Sequence, residues 1–222
     1  FNAGSRLSRK ALAQSIGQCA PLLPDSSSVQ QHIAKEDTDF YNLSRYFSGC
    51  GFPTYPAGHT EYFPLGEEMF RRMLQQIEKA EAYIYLEFFI VCPGVMWGQL
   101  LEAMHRKAKE GVDVRVLYDG MNALTNLPAD YPKQLEKLGI SCRVFSPVLP
   151  FVSSHYNNRD HRKIMVIDGR IAFTGGVNLQ DRYINAEQVF GHWKDCGVMV
   201  EGIAAGSFTA LFLQLWNIGQ KQ

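Results

Sequence analysis

A histidine and a lysine two residues apart, His161 and Lys163, precede Asp168 in the pattern HxKxxxxD. Further on come Gly175, Gly176 and Asn178. Residues i and i+2 of a β-strand share a face, so the imidazole and the ammonium point the same way. That pair suits attack on a phosphodiester. The ammonium holds a non-bridging oxygen and offsets charge in the transition state. The imidazole attacks phosphorus and forms a covalent phosphohistidine, which splits one hard step into two. Asp168 has the opposite strand parity and is read as structural, tying down the turn or the Gly175-Gly176 backbone. The carboxylate that orients His161 then has to come from elsewhere. Asp195 is the candidate, since a carboxylate on the far ring nitrogen fixes the tautomer and raises nucleophilicity. Gly175 and Gly176 would let the backbone approach a phosphate closely, and Asn178 would donate a hydrogen bond to it.

Plainer readings compete for each residue. An ordinary surface strand also carries His and Lys, but the register of Asp168, both glycines and Asn178 speaks against that. Asp195 could be a solvated carboxylate at a strand end. Glu87, a lone charge inside an apolar run, faces either the cleft or water at a strand end, because burial without a partner is costly. His105 and His192 read as surface or satisfied positions, while His59 and His155 lie in loops that could rim the site. Arg159 and Arg162 either attract a phosphate or face solvent.

The elements that must hold these residues follow from periodicity. Residues 83–91 form a nearly continuous apolar run, the mark of a strand buried on both faces. Helices are expected at 67–80, 99–110, 131–138 and 208–216, with Phe70, Met73, Leu74 and Ile77 at core spacing in the first. Gly111 and Gly139 follow two of them as C-terminal cap residues do. Shorter strands are expected at 61–65, 112–118, 141–145 and 194–200. Residues 162–167 and 171–174 read as a hairpin around Asp168-Gly169. This alternation implies an α/β fold, a mixed β-sheet flanked by helices. Residues 1–55 read as an N-terminal extension, mixed and polar, broken at Pro21, Pro24 and Ser26-Ser27-Ser28, with one short helix at 39–47. Residues 56–222 then make the α/β domain.

The 222 residues are 46% hydrophobic, with Lys plus Arg and Asp plus Glu equal at 22 each. The composition supports a substantial core and argues against disorder. Zero net charge counts against a dedicated nucleic-acid binder. Five cysteines without a CxxC pair fit a reducing compartment. No run of about 18 apolar residues predicts a transmembrane helix, and the start has no signal-peptide pattern. A chain beginning at Phe1 is expected to be an excised piece, with any membrane anchor outside it.

With these residues in view, the chain resembles the phospholipase D superfamily, whose motif His161, Lys163, Asp168, Gly175, Gly176 and Asn178 match position by position. The flanks NRDHRKIMVIDG (158–169) and FTGGVNL (173–179) are similar to the bacterial cardiolipin synthase branch. So are YIYLEFF (83–89), VRVLYD (114–119) and Trp193-Lys194-Asp195. The resemblance spans residues 51–216. There are departures. Gly120-Met121-Asn122-Ala123 stands where the family usually has Gly-Ser, and Asp181 is followed by Arg182 rather than a second acid. The family carries two such motifs in facing halves, and this chain has one: His192 and Lys194 have Met199 where the aspartate would fall.

The resemblance implies an α-β-α sandwich and a two-step phosphatidyl transfer, with His161 as the first-half nucleophile. The opposed histidine protonates the leaving alcohol and deprotonates the incoming one. Phosphatidylglycerol would be both donor and acceptor, at a membrane surface on the cytoplasmic face of the cell membrane. No cofactor, metal or nucleic-acid partner is implied. The second half comes from the rest of a longer chain or from a homodimer partner. Two other functions remain: a single-motif phosphodiesterase or nuclease completed by homodimerisation, and a non-catalytic phospholipid-binding half-domain. The missing-half reading expects an exposed apolar patch on the His161 face, and it fails if the chain's own N-terminal segment caps that face.

Overall fold

A computed structural model of the chain describes residues 3–56, 58–147 and 159–218. The chain opens with helices α1 (Ala3–Cys19), α2 (Ser27–Glu36) and α3 (Thr38–Gly49). Then follow β1 (His59–Phe63), α4 (Gly66–Ile77), β2 (Tyr83–Phe88), α5 (Val95–Lys109), β3 (Asp113–Asp119), the short α6 (Asn122–Thr125), α7 (Tyr131–Glu136) and β4 (Ser141–Phe145). The remainder is β5 (Lys163–Ile167), β6 (Ile171–Gly175), β7 (Gly197–Glu201) and α8 (Ala205–Trp216).

The strands form one seven-stranded mixed sheet in the order β1-β7-β6-β5-β2-β3-β4. β2 is parallel to β3 and antiparallel to β5, with Phe88 opposite Lys163. Its apolar run is explained by this inner position, because both of its faces are covered. Ile84, Leu86 and Phe88 meet Met69, Met73 and Ile77 of α4 and Met96, Trp97 and Leu100 of α5 in the main core. Tyr85, with Leu117 and Val166, meets Ala205, Phe212 and Trp216 of α8 on the other side. The result is the expected α-β-α sandwich. The apolar face of α8 is thus core, and among the described residues no helix is long and apolar enough to cross a membrane.

The N-terminal segment differs from expectation. It carries α1 and α2 besides the expected α3, because Ala, Leu, Lys, Gln and Arg favour helix even where no strong apolar period is present. α1 lies against α8, where Ser15 Oγ donates to the Gln214 carbonyl at 2.8 Å. Asp37 caps α3 by accepting the Asp39 and Phe40 amides at 2.8 and 2.9 Å.

Candidate active site

The sheet register gathers the chemistry at one edge. The ends of β1, β2, β3, β4 and β6 and the starts of β5 and β7 all lie there. His161 and Lys163 stand where β5 begins. Lys163 has the parity of Met165 and Ile167, so it points to the α4–α5 side. Its ammonium lies 3.3 Å from His161 Nδ1 and donates to the His161 carbonyl at 2.8 Å. Lys163 is 6% exposed while His161 is exposed. Burial pushes the Lys163 pKa down, and the negative charges of Asp160 and Asp195 oppose that shift. Among the described residues His161 Nε2 makes no hydrogen bond. The Phe89 ring stands beside both groups, 4.7 Å from the His161 ring centroid and 5.6 Å from Lys163 Nζ.

The other sequence candidates divide. Asp168 is at the far end of β5, roughly 16 Å away at about 3.3 Å per residue. Its carboxylate accepts the amides of Glu81, Ala82 and Tyr83 at 2.9, 2.8 and 2.8 Å. It is structural as its parity indicates, but it ties down the start of β2 rather than the Gly175-Gly176 backbone. Asn178 is buried, and its amide oxygen accepts the Ile90 N–H at 3.0 Å while its Nδ2 donates to the Tyr183 hydroxyl at 3.0 Å. Asp195 makes no hydrogen bond to His161. It accepts the Cys196 amide at 2.8 Å and lies against Gly176, so its charge acts on Lys163 instead. A Cβ at Gly175 would strike the Cys196 carbonyl, and one at Gly176 the Asp195 carboxylate. The two glycines therefore admit the close approach of the segment entering β7.

Neither placement considered for Glu87 is realised. It is fully buried on the α8 side of the sheet and ion-paired with Arg162. Burial pushes its pKa up to about 9 against the pull of Arg162, with Asp160 pushing the same way as burial. Arg162 also lies 3.4 Å from Asp160 and donates to the Leu211 carbonyl, and Arg159 donates to Asp119 Oδ1 at 3.2 Å. Both arginines are thus braces of the segment leading into His161. His105 Nδ1 meets the Leu138 carbonyl at 2.8 Å, and His192 lies 3.5 Å from Glu67. His59 pairs with Glu201 at the opposite sheet edge. His155 lies outside the described residues.

Three positioning groups escaped the sequence reading. Asp119, fully buried at the end of β3, accepts the Asp160 amide at 3.0 Å and the Met121 amide at 2.9 Å. Asn122 accepts the Val91 amide at 3.1 Å and donates to the Phe89 carbonyl. Phe89 itself passed as one more aromatic in a core strand. Only the Tyr-Asp end of β3 and the Asn122 departure from the family pattern offered a signal.

Among the described residues, apolar side chains are exposed along the site edge. Val95, Met121, Leu124, Val189 and Phe190, on loops or helix starts leaving that edge, are exposed, Phe190 at 80%. α1, by contrast, lies on the outer side of α8. Among the described residues no group of three or more His, Cys, Asp or Glu could hold a metal ion.

A family model described as "Cardiolipin synthase, PLD-like domain" matches residues 73–216. The chain is a cardiolipin-synthase-like member of the phospholipase D superfamily. It is 46% identical to an uncharacterised protein of Streptococcus mutans over 219 residues, 98% of this chain and 48% of that one. It is 39% identical to a cardiolipin synthase of Geobacillus kaustophilus over 165 residues, 74% of this chain and 33% of that one. The match therefore spans half or less of these relatives. The fold is also that of Nuc from Salmonella typhimurium, a phospholipase D family member, with TM-score 0.54 and 19% identity over 76% of this chain and 99% of that one.

Proposed function

We propose that this chain supplies one catalytic half of a phosphatidyltransferase that makes cardiolipin from two phosphatidylglycerols through a phosphohistidine. The pairing of His161 with Lys163 where β5 begins, with no hydrogen bond to Nε2 among the described residues, carries the reading. The Lys163 ammonium lies against its neighbour's Nδ1 and carbonyl. Attack from Nε2 needs the ring proton on Nδ1, and that N–H would then face an ammonium. A bound phosphate resolves the conflict by drawing Lys163 Nζ to a non-bridging oxygen. The Nε2 lone pair forms the N–P bond, the bond from phosphorus to the glycerol oxygen breaks, and that oxygen takes a proton from the opposed histidine of the second half. The acceptor hydroxyl gives its proton back to that histidine as its oxygen attacks phosphorus, and the N–P electron pair returns to Nε2.

The exposed apolar rim around the site supports a second half seated there, with the membrane surface supplying the lipid. The lipid-branch relatives favour phosphatidylglycerol over a nucleic acid, as does the neutral composition. The test is conversion of phosphatidylglycerol to cardiolipin and glycerol by the full-length protein. Turnover should disappear in His161→Ala and fall by at least about 10³-fold in Lys163→Met. A His161→Ala protein that still makes cardiolipin would remove this histidine from the reaction.

A further inference from the structure

We infer that Phe89 is a positioning residue for His161, held in place by Asn122 and Asn178 acting on its backbone. The inference rests on His161 being the reacting group, as proposed above. The carboxylate that sequence reasoning assigned to orient His161 is elsewhere, because Asp195 lies on Gly176. What fixes an exposed imidazole must therefore come from its other neighbours. Among the described residues two are recorded: the Lys163 ammonium at Nδ1, and the Phe89 ring at 4.7 Å, tilted by 52°. Lys163 is also the group a phosphate would draw away. The aromatic wall is then the contact that persists through the reaction, limiting rotation of the imidazole.

Phe89 follows the last residue of β2, where backbone is ordinarily free to wander. Here it is clamped from both sides. Asn122 Nδ2 donates to the Phe89 carbonyl and Asn122 Oδ1 accepts the Val91 amide at 3.1 Å. Asn178 Oδ1 accepts the intervening Ile90 amide at 3.0 Å. Two backbone bonds between this segment and Leu179 complete the clamp: the Cys92 amide to the Leu179 carbonyl at 2.9 Å, and the Leu179 amide to the Ile90 carbonyl at 3.1 Å. Both asparagines are nearly fully buried, and each turns its amide oxygen to this segment. The same ring lies 5.6 Å from Lys163 Nζ, within reach of a cation–π attraction. One plate thus registers both reacting groups, and a small displacement of such groups is costly in rate.

Steady-state cardiolipin synthesis by the full-length protein tests this with Phe89→Leu, Phe89→Tyr, Asn122→Ala and the Phe89→Leu/Asn122→Ala pair. Leucine keeps apolar bulk but loses the plane. The expected result is a kcat lower by roughly 10²-fold with KM little changed, and recovery of most of it by tyrosine. Asn122→Ala should lower kcat in the same way. Its effect should largely vanish when Phe89 is already leucine, because both act through one plate. Wild-type kcat in Phe89→Leu, or losses that multiply in full in the double variant, would overturn the inference. Should Asn122→Ala fail to fold, the Leu and Tyr variants decide alone. A protein in which His161→Ala keeps its turnover would instead strike the function on which the inference rests.

Discussion

Residues in one motif do separate jobs here. His161 and Lys163 stand at the start of β5; Asp168 braces the entry to β2, and Asn178 holds the Ile90 amide. Parity on a strand was enough to separate Asp168 from the histidine, and the sequence also marked Glu87 as anomalous. It could not show that Arg162 turns back beneath the strand to pair with Glu87, since that depends on where α8 lies. The burial of Glu87, which outweighs the pull of Arg162, has a measurable consequence. With its pKa raised to about 9 from an ordinary 4.5, Glu87 is favoured in its protonated form by the folded state. The stabilisation this gives is complete below about pH 4.5 and is lost as pH rises toward 9. Glu87→Gln keeps the neutral shape without the titration. Its melting temperature should therefore fall less between pH 5 and pH 9 than that of the wild type. Equal slopes for the two proteins would show that Glu87 is not the group responsible.

At the scale of elements, the hairpin of β5 and β6 and the apolar β2 were legible because turn residues and strand burial leave local marks. Asp168 stands in the left-handed region at φ 52° and Gly169 at φ 65°, as the tight connection requires. What was not legible is how far such marks reach. Asp168 uses its carboxylate 85 to 87 residues away in sequence, at the entry to β2. Asp181, the acid kept where Arg182 breaks the family's pair, caps α5 from a distance by accepting the Val95 and Met96 amides at 2.8 Å each. These are contacts that sheet order creates and spacing cannot reveal. Asp168→Ala removes an ionised acceptor from three amides and should cost about 2 kcal/mol in urea unfolding. Turnover by the folded fraction should stay near wild type. Lost turnover at unchanged stability would instead place Asp168 in the chemistry.

At the scale of the whole molecule, one end of the sandwich carries the His161–Lys163 pair. The five strand ends and two strand starts that form it surround one basic pair with exposed apolar side chains. Of the N-terminal helices, α1 packs on α8, where Ser15 donates to the Gln214 carbonyl. That α1 and α2 would be helical was missed, since their apolar spacing is weak and α1 takes its support from α8 rather than from its own pattern. Half or less of each relative's length is represented here, which leaves room in a longer chain for the opposed histidine. The central claim is that His161 carries the phosphatidyl group. An alkaline quench of the full-length protein during turnover of phosphatidylglycerol, followed by mass spectrometry of its peptides, tests it directly. The account predicts a base-stable phosphatidyl or phosphoryl adduct on the peptide containing His161, absent from His161→Ala. An adduct found only on another histidine, with His161 unmodified, would contradict it.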